Sequence, residues 1–362
     1  MPDDCRARER PLVTVATVAH NAEEFISEAI ESVLAQEFRD FELVICDDCS
    51  TDRTWEIIHG FADPRIRAVR NPRNIGEYPN RNQALALARG KYIIYIDGDD
   101  CLYPHGLGFM VKMLEAFPRA AFASAQEPSE KFVYPVELSP HDLYACLFFG
   151  PMVIGANFTQ LMFRTAKLRE VGGFDLRYRT NDTRIQFALG MHDNCVLISG
   201  GLAWWRRHGG QASEVWLRTG RGVAEVAHYG REMLQHPDCP LSAEEKRLAG
   251  VYAFRPVLRR IVHHLLDGHV ADARELLRIS RVTLREWPYL FAKWSRPFLA
   301  DVGGANPIRT PLRASPLPAP VPRNTVYIKD RLGNARRLAK VVDRAPAIRN
   351  QAPVVQDNVA AH

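Results

Sequence analysis

Two clusters of carboxylates, each directly after a short apolar run, are the residues of this sequence best suited to chemistry. The clusters consist of Asp47 with Asp48, and of Asp97, Asp99 and Asp100. A D-x-D pair offers hard oxygen ligands that suit a divalent cation such as Mg²⁺ or Mn²⁺, which can also bind phosphate oxygens. An isolated acidic pair is more often a solvated turn, so the pattern gains weight only from its surroundings.

The elements that must position these acids are short β-branched runs that alternate with helix-like patterns. The predicted strands cover residues 12–18, 41–46, 66–69 and 92–96. This alternation is typical of an α/β fold with a mostly parallel sheet covered by helices on both faces. Because ligands bind outside the carboxyl ends of such strands, we expect both acidic clusters at one edge of the sheet. Asn21, with Glu24 three residues later, is expected to cap the first helix.

The rest of the chain divides by composition. Amphipathic helical patterns follow the α/β region, and eight prolines then fall within the last 61 residues. We predict an N-terminal segment at 1–11, two halves of one α/β domain at 12–125 and 126–240, a helical extension at 241–301 and a flexible Pro-rich tail at 302–362. The tail carries ten Lys or Arg residues against three acids, so the basic excess of the chain lies there.

Composition and charge argue against several classes of protein. The chain is 46% hydrophobic and 25% charged, with a net charge of +5 over 362 residues, which does not favour nucleic-acid binding. Seven dispersed cysteines fit a reducing compartment, and the pair Cys46 and Cys49 has no second pair to complete a zinc site. The charged N-terminus lacks a signal-peptide pattern, so we expect a cytoplasmic protein. The uncharged segment 143–163 is long enough to cross a membrane, but Gly150 and Pro151 divide it into two apolar stretches.

Four successive motifs within residues 12–100 resemble the nucleotide-sugar-binding half of family 2 glycosyltransferases, which have the GT-A fold. They are the strand ending in His20-Asn21, the strand followed by Asp47-Asp48-Cys49-Ser50-Thr51-Asp52, the run from Asn74-Ile75-Gly76 to Arg81-Asn82, and the strand ending in Asp97-Gly98-Asp99-Asp100. Their order, spacing and residue types agree with the family. The sequence departs from the family pattern at Val18, at His20 and in the stretch 77–79.

The resemblance implies roles on the donor side. Asp47 would accept a hydrogen bond from the base of a nucleotide-sugar, and Arg81 would reach the nucleotide or its phosphates. Asp99 would be the principal ligand of Mg²⁺ or Mn²⁺, with Asp97 near the ribose and the metal, and Asp100 as a further ligand or a supporting acid. The residues implied to contact the donor are Asn21, Asp47, Asp48, Asn74, Gly76, Arg81 and Asp97.

Two later segments resemble the acceptor and catalytic parts of the family. Gly172-Gly173-Phe174-Asp175 precedes Asp182, which the resemblance implies is the general base that deprotonates the acceptor hydroxyl. Capping a helix is the alternative role for an Asp at that place. The segment 204–208 resembles the family's aromatic-Arg-x-His motif, and its His208 would bind the metal or the leaving diphosphate, or be a structural histidine. Further supporting or acceptor contacts are implied for Asn181, Trp204 and Trp205.

The activity implied is transfer of one sugar, with inversion, from a nucleotide-diphosphate sugar, with UDP favoured as the nucleotide. The acceptor would be a glycan, a lipid-linked sugar or a small molecule. A sugar-phosphate nucleotidyltransferase would need a Gly-rich basic first loop, where this sequence has Val18-Ala19-His20-Asn21. A non-catalytic nucleotide-sugar or glycan-binding module is the other alternative, and the complete acid set argues against it. The basic tail predicts either peripheral association with an anionic membrane or a solvated segment.

Overall fold

A computed structural model provides the structure of the chain. It describes residues 10–126, 134–149, 157–206 and 219–292, all of which belong to one compact unit, Met1–Leu312. His208 and the predicted tail at 302–362 lie outside the described residues, as does most of the predicted segment at 1–11.

The described residues form strands and helices in alternation. The strands are β1 (Val13–Ala19), β2 (Phe41–Asp47), β3 (Ile66–Arg70), β4 (Tyr92–Asp97), β5 (Cys101–Leu102), β6 (Ala120–Gln126), β7 (Val136–Leu138), β8 (Leu161–Arg164), β9 (Asn194–Ser199) and β10 (Ala203–Trp204). The α-helices are α1 (Ile26–Leu34), α2 (Thr54–His59), α3 (Glu77–Leu87), α4 (Gly106–Ala116), α5 (Pro140–Phe149), α6 (Thr165–Glu170), α7 (Asn181–Gly190), α8 (Arg221–Gln235), α9 (Ala243–Leu266) and α10 (Val270–Ser280). Short 3₁₀ turns occupy Phe158–Gln160 and Trp287–Phe291.

Eight strands form one sheet in the order β3-β2-β1-β4-β8-β6-β9-β7. Four of its seven neighbouring pairs are parallel, which confirms the predicted α/β fold with a mostly parallel sheet. Alternate residues of a strand serve opposite faces. In β4, Tyr92, Ile94 and Ile96 pack into a core with α1 and α4. Ile93 and Tyr95 pack into a second core with α3 and α7, so both faces of the strand are covered.

The register of β1 brings the two acidic clusters together. β1 lies between β2 and β4, and both pairings are parallel. Ala19 at the end of β1 is paired with Asp47, while its neighbour Val18 is paired with Asp97. The prediction that both clusters lie at one carboxyl edge of the sheet is therefore confirmed.

The predicted capping of the first helix is wrong. α1 begins at Ile26, and no side chain caps it. Asn21 has a φ of +50°, and its Oδ1 accepts a hydrogen bond from the backbone N–H of Thr51 at 2.8 Å. The amide oxygen that was expected to cap the helix instead binds the loop that follows β2.

Helices α8, α9 and α10 follow the last strand and pack on one another around Ala227, Phe254, Leu258 and Leu276. A complete capping box between Ser242 and Glu245 begins α9. In the part of the chain that the structure describes, no helix has the length and apolar character needed to cross a membrane. The boundaries drawn at residues 125, 240 and 301 stay predictions.

Candidate active site

Three carboxylates form a compact cluster directly after β4. One oxygen each from Asp97, Asp99 and Asp100 lies within 4.8 Å of the other two. The backbone N–H of Asp100 donates to the carbonyl of Asp97 at 3.0 Å, which closes the tight turn between β4 and β5. Hard oxygen donors at this spacing fit Mg²⁺ or Mn²⁺.

Asp100 is the most deeply buried acid of this cluster. It is only 1% exposed, and its carboxylate accepts hydrogen bonds from Thr159 Oγ1 at 2.5 Å and from the N–H of Arg206 at 3.0 Å. Burial raises the pKa of Asp100 to about 8, and repulsion from Asp97 and Asp99 adds to the rise. Such a cluster of negative charge is most stable with a nearby cation, which supports its fit to a divalent metal ion.

Arg206, in the segment that precedes His208, contacts the acidic cluster at Asp99 and Asp100. Strand β10 pairs antiparallel with β5, which places Trp204 opposite Cys101. Arg206 Nε donates to the carbonyl of Asp99 at 2.9 Å, and its Nη2 lies 2.6 Å from Glu28 Oε2 in α1. Its guanidinium lies 4.4 Å from the ring centroid of Trp204. The late aromatic segment therefore reaches the acidic cluster, with half-buried Trp204 in contact with Arg206 and Trp205 half-buried next to it.

Arg81 is buried and contacts the acidic cluster through Asp97. It is 1% exposed, and its Nη2 donates to Asp97 Oδ1 at 2.6 Å and to Glu77 Oε1 at 3.1 Å. The guanidinium also lies 4.1 Å from the ring centroid of Phe158. In this structure Arg81 orients Asp97, and its predicted contact with a nucleotide or its phosphates stays a prediction.

Asp182 lies in the first turn of α7. Thr180 is the N-cap residue of that helix, so Asp182 is not the cap, although its Oδ1 accepts a hydrogen bond from the N–H of Thr183 at 2.7 Å. Burial raises the pKa of Asp182 to about 6, and the negative charge of Glu77 adds to this rise. A carboxylate with this pKa is ionised at neutral pH and can still accept a proton, as a general base requires.

The first turns of α3 connect the acidic cluster to the segment that carries Asp182. The Asn82 amide donates to the carbonyl of Phe174 and accepts from its N–H, both at 2.8 Å. The Tyr78 hydroxyl donates to the carbonyl of Arg179. Helix α3 therefore holds residues 174 and 179 at fixed positions beside the Arg81–Asp97 ion pair.

Glu225 of α8 supports the same segment from the other side. Its Oε2 accepts hydrogen bonds from the backbone N–H groups of Arg179 and Thr180 at 2.8 and 2.9 Å, and from Thr180 Oγ1 at 2.9 Å. Glu225 is 6% exposed. Helix α8 thus helps to position the chain directly before Asp182.

Asn181 is buried and bound to the backbone around it. Its Nδ2 donates to the carbonyls of Asp175 and Tyr178 at 2.8 and 2.7 Å, and its Oδ1 accepts from the N–H of Asp175 at 3.0 Å. These contacts close the turn before α7. The structure thus gives Asn181 a role in the shape of the loop, whereas an acceptor contact stays a prediction.

Asp47 and Asp48 both organise loops at the carboxyl edge. The Asp47 carboxylate is fully buried, lies 3.2 Å from Arg70 Nε and accepts from the N–H and the hydroxyl of Ser50. Asp48 accepts from the backbone N–H groups of Ile75 at 2.9 Å and Gly76 at 2.8 Å. Contact of either residue with a donor base stays a prediction.

The remaining predicted donor residues lie next to these loops. Asn74 Nδ2 is 3.1 Å from His20 Nε2, and its Oδ1 accepts from the N–H of Gly76 at 3.1 Å. Gly76 has a φ of +94° and directly precedes α3. His20 Nδ1 lies 2.9 Å from the carbonyl of Asp48, and Asn21 follows it in the chain. The predicted donor residues of β1, β2 and the loop before α3 are therefore brought together.

A metal-binding role for the pair Cys46 and Cys49 gains no support from the structure. Cys46 is fully buried in β2, and burial raises the pKa of its thiol to about 12. Cys49 has a φ of +58° in the turn that follows. A thiol protonated at all physiological pH values is a poor nucleophile and a poor metal ligand.

Comparison with known proteins identifies the domain that carries the acidic cluster. Residues 14–168 match the family described as Glycosyl transferase family 2. The chain carries a family 2 glycosyltransferase domain. It is 42% identical over 89 residues to the Escherichia coli UDP-Glc:alpha-D-GlcNAc-diphosphoundecaprenol beta-1,3-glucosyltransferase WfaP, a match covering 25% of this chain and 36% of WfaP. Matches to four curated relatives cover between 30% and 56% of their lengths, so the chain spans at most about half of each.

Solved structures show the same fold over a longer stretch. Staphylococcus aureus TarS 1-349 in complex with UDP-GlcNAc has a TM-score of 0.54 at 19% identity, covering 76% of this chain and 78% of TarS. The mannosyltransferase PcManGT of Pyrobaculum calidifontis, in complex with GDP-Man and Mn²⁺, has a TM-score of 0.53 at 20% identity, covering 78% and 83%. The GT-A fold expected from the family 2 motifs is therefore confirmed.

Several residues that organise the candidate site were not assigned a role from the sequence. Helix α3 begins at Glu77, and the ion pair between Glu77 and Arg81 within it was not predicted. The i, i+4 spacing of these residues is a signal that could have revealed it, since Pro79 is tolerated in the first turn of a helix. The contacts of Glu225 and Arg206 could not be predicted from local sequence patterns, because their partners are distant along the chain.

Gly173→Ala is expected to lower the free energy of unfolding by about 1–3 kcal/mol, measured by denaturant titration. Gly173 has a φ of +72°, and an added Cβ would lie 2.5 Å from Asn82 Oδ1. The matched control is Gly172→Ala, which has a similar φ of +80° but places its Cβ more than 4 Å from the other described residues. Equal losses in the two variants would show that the contact with Asn82 contributes nothing beyond backbone strain.

Proposed function

We propose that the protein transfers a single sugar from a nucleotide-diphosphate sugar to an acceptor hydroxyl, with inversion at the anomeric carbon. The observation that carries this proposal is the arrangement around the first turns of α3. The charges of Glu77 and Arg81 act on Asp97 in the cluster and on Asp182 in α7 alike. Helix α3 therefore lies near both the acids suited to a metal ion and the carboxylate suited to a base.

Asp97, Asp99 and Asp100 would hold Mg²⁺ or Mn²⁺. The bound ion would supply charge stabilisation for the departing nucleoside diphosphate. Arg81 keeps Asp97 ionised and oriented toward its neighbours, because the positive charge lowers the pKa that burial raises. His208 was expected to be a further ligand, but it lies outside the described residues and stays a prediction.

Asp182 would act as the general base in a single displacement. The acceptor oxygen forms a bond to the anomeric carbon while the bond from that carbon to the diphosphate oxygen breaks. The proton of the acceptor hydroxyl passes to the Asp182 carboxylate. Asn82 and Glu225 fix the loops on either side of Asp175, so the base is positioned before the substrates bind.

A UDP-sugar is the favoured donor, and a lipid-linked sugar is the favoured acceptor. The TarS structure contains UDP-GlcNAc, and the name of WfaP describes a UDP-glucose donor and a diphosphoundecaprenol-linked acceptor. The PcManGT structure contains GDP-Man, so GDP-sugars belong in any test. A glycan or a small-molecule acceptor also suits the proposed chemistry. A lipid-linked acceptor would bring the enzyme to a membrane surface, for which the basic residues of 302–362 are suited.

The donor can be identified with a panel of UDP-, GDP- and dTDP-sugars, each tested with and without Mn²⁺ for a rise in the melting temperature of the protein. We expect a metal-dependent rise with one nucleotide class. The stabilising donor is then incubated with lipid-linked and soluble acceptors, while nucleoside diphosphate release and the anomeric configuration of the product are measured. Donor binding without diphosphate release for any acceptor would favour a non-catalytic binding module, and a product with retained configuration would contradict the single displacement.

Glu77→Gln is expected to shift the acidic limb of the pH–activity profile to lower pH. The base must be ionised, so activity should fall about tenfold per pH unit below the pKa of Asp182, which is about 6. The negative charge of Glu77 raises that pKa, so its removal lowers it. The measurement is kcat/KM between pH 4.5 and 8. Glu115→Gln, a charge loss on α4 at a residue bound to Lys91, is the control and should leave the limb near pH 6. A limb that stays in place or moves to higher pH in Glu77→Gln would contradict this coupling.

A further inference from the structure

The turn that joins α9 to α10 brings together three side chains that the proposed reaction does not use. His264 lies in the last turn of α9, His269 is the N-cap residue of α10, and Asp272 lies in its first turn. Gly268, with a φ of +77°, allows the chain to reverse between the two histidines. One potential ligand atom from each of His264, His269 and Asp272 lies within 4.8 Å of the other two.

The imidazole nitrogens of half-buried His264 have no hydrogen-bond partner among the described residues. Both of these nitrogens are buried. A buried polar atom left unpaired costs about 1–3 kcal/mol, so such atoms in native proteins commonly mark a missing ligand, ion or water. The ring centroids of His264 and His269 are 6.0 Å apart with an interplanar angle of 45°, so the two rings are near neighbours that do not stack.

The donor set differs in kind from the carboxylate cluster at the end of β4. Two imidazoles and one carboxylate are the ligands that Zn²⁺ accepts in proteins, whereas Mg²⁺ prefers oxygen ligands alone. On a tetrahedral Zn²⁺ with bonds of about 2.0–2.1 Å, two ligand atoms lie roughly 3.3 Å apart. Ligand atoms already within 4.8 Å of one another need to approach by no more than about 1.5 Å to reach that spacing.

We propose that His264, His269 and Asp272 bind a Zn²⁺ ion that links the end of α9 to the start of α10. Three protein ligands leave one position of the ion for water or another ligand. The two helices pack around Leu258, Ile261, Ala273 and Leu276. The ion would link them at the turn that connects one helix to the other. Because metal binding to the folded state stabilises that state, the first effect of the ion is on the stability of the helical extension.

The test uses the untagged full-length protein after removal of metal with a chelator. Zn²⁺ is titrated by calorimetry in the Asp99→Asn background, which weakens the carboxylate cluster as a competing site. We expect one equivalent of Zn²⁺ to bind and to raise the melting temperature. Co²⁺ in place of Zn²⁺ should give the visible absorption of a tetrahedral site with nitrogen and oxygen ligands.

Three variants assign the site. His264→Ala and His269→Ala are each expected to weaken Zn²⁺ binding by more than about tenfold and to remove the Co²⁺ absorption. His269 is exposed, so its variant should fold even if His264→Ala does not. His263→Ala is the matched control: it removes a neighbouring histidine that pairs with Asp267 at 3.2 Å, and it should leave Zn²⁺ affinity unchanged. Zn²⁺ binding that survives in His269→Ala, or that is absent from the protein with both histidines intact, would overturn the proposal.

Discussion

Asp182→Asn is expected to lower the rate of sugar transfer by about 10²–10⁴-fold, the contribution typical of a positioned general base. Asparagine keeps the size of the side chain and can still accept the hydrogen bond from the N–H of Thr183. It cannot take a proton from the acceptor hydroxyl. The loss should therefore appear in kcat, measured by nucleoside diphosphate release at saturating donor, while the metal-dependent thermal stabilisation by the donor is retained.

The matched control for Asp182→Asn is Asp142→Asn. Asp142 lies in the first turn of α5, so the substitution removes one negative charge from the first turn of another helix. This control should keep the full rate. A folded Asp182→Asn protein with full activity would refute the assignment of the base. A variant that loses donor stabilisation together with activity would show that Asp182 serves the fold of the site rather than proton transfer.

Asp99→Asn is expected to remove the metal-dependent rise in melting temperature with the donor and to lower transfer by at least about 10²-fold. The expected loss in rate has this size because a metal ion contributes several kcal/mol of charge stabilisation, and each 1.36 kcal/mol corresponds to about a tenfold change in rate. Asp99 is the member of the cluster to replace, because the resemblance to the family makes it the principal metal ligand.

Two comparisons make the Asp99→Asn result specific. Because Asp99→Asn removes one of three neighbouring negative charges, the melting temperature without metal should be no lower than that of the unmodified protein. Asp238→Asn, at an exposed position after α8, should leave both metal dependence and activity unchanged. Full Mn²⁺-dependent donor stabilisation in Asp99→Asn would refute the assignment of the metal site.

The sequence alone was sufficient to predict the sheet and the edge at which the site lies. Strand periodicity and the position of each acidic cluster at the end of an apolar run are local features, and ligands of a parallel α/β sheet bind at the carboxyl ends of its strands. The position and register of β1 between β2 and β4 came from the structure. The motifs also identified Asp182 as a candidate, although nothing in the local pattern says how close it lies to Asp97. The capping role expected for Asn21 was wrong because its partner, Thr51, lies 30 residues away along the chain.

Only the tertiary structure decided how the acidic cluster after β4 is connected to the segment that carries Asp182. The ion pair between Arg81 and Asp97, formed inside the protein beside the ring of Phe158, was not predicted from the sequence. The two hydrogen bonds between Asn82 and Phe174 span 92 positions in the sequence, and those of Glu225 to residues 179 and 180 come from a helix beyond the last strand. Local periodicity reports which face of an element is buried, whereas the partner of a buried polar group depends on how distant elements pack. The sequence therefore determined which acids could do chemistry, and packing determined which side chains orient them.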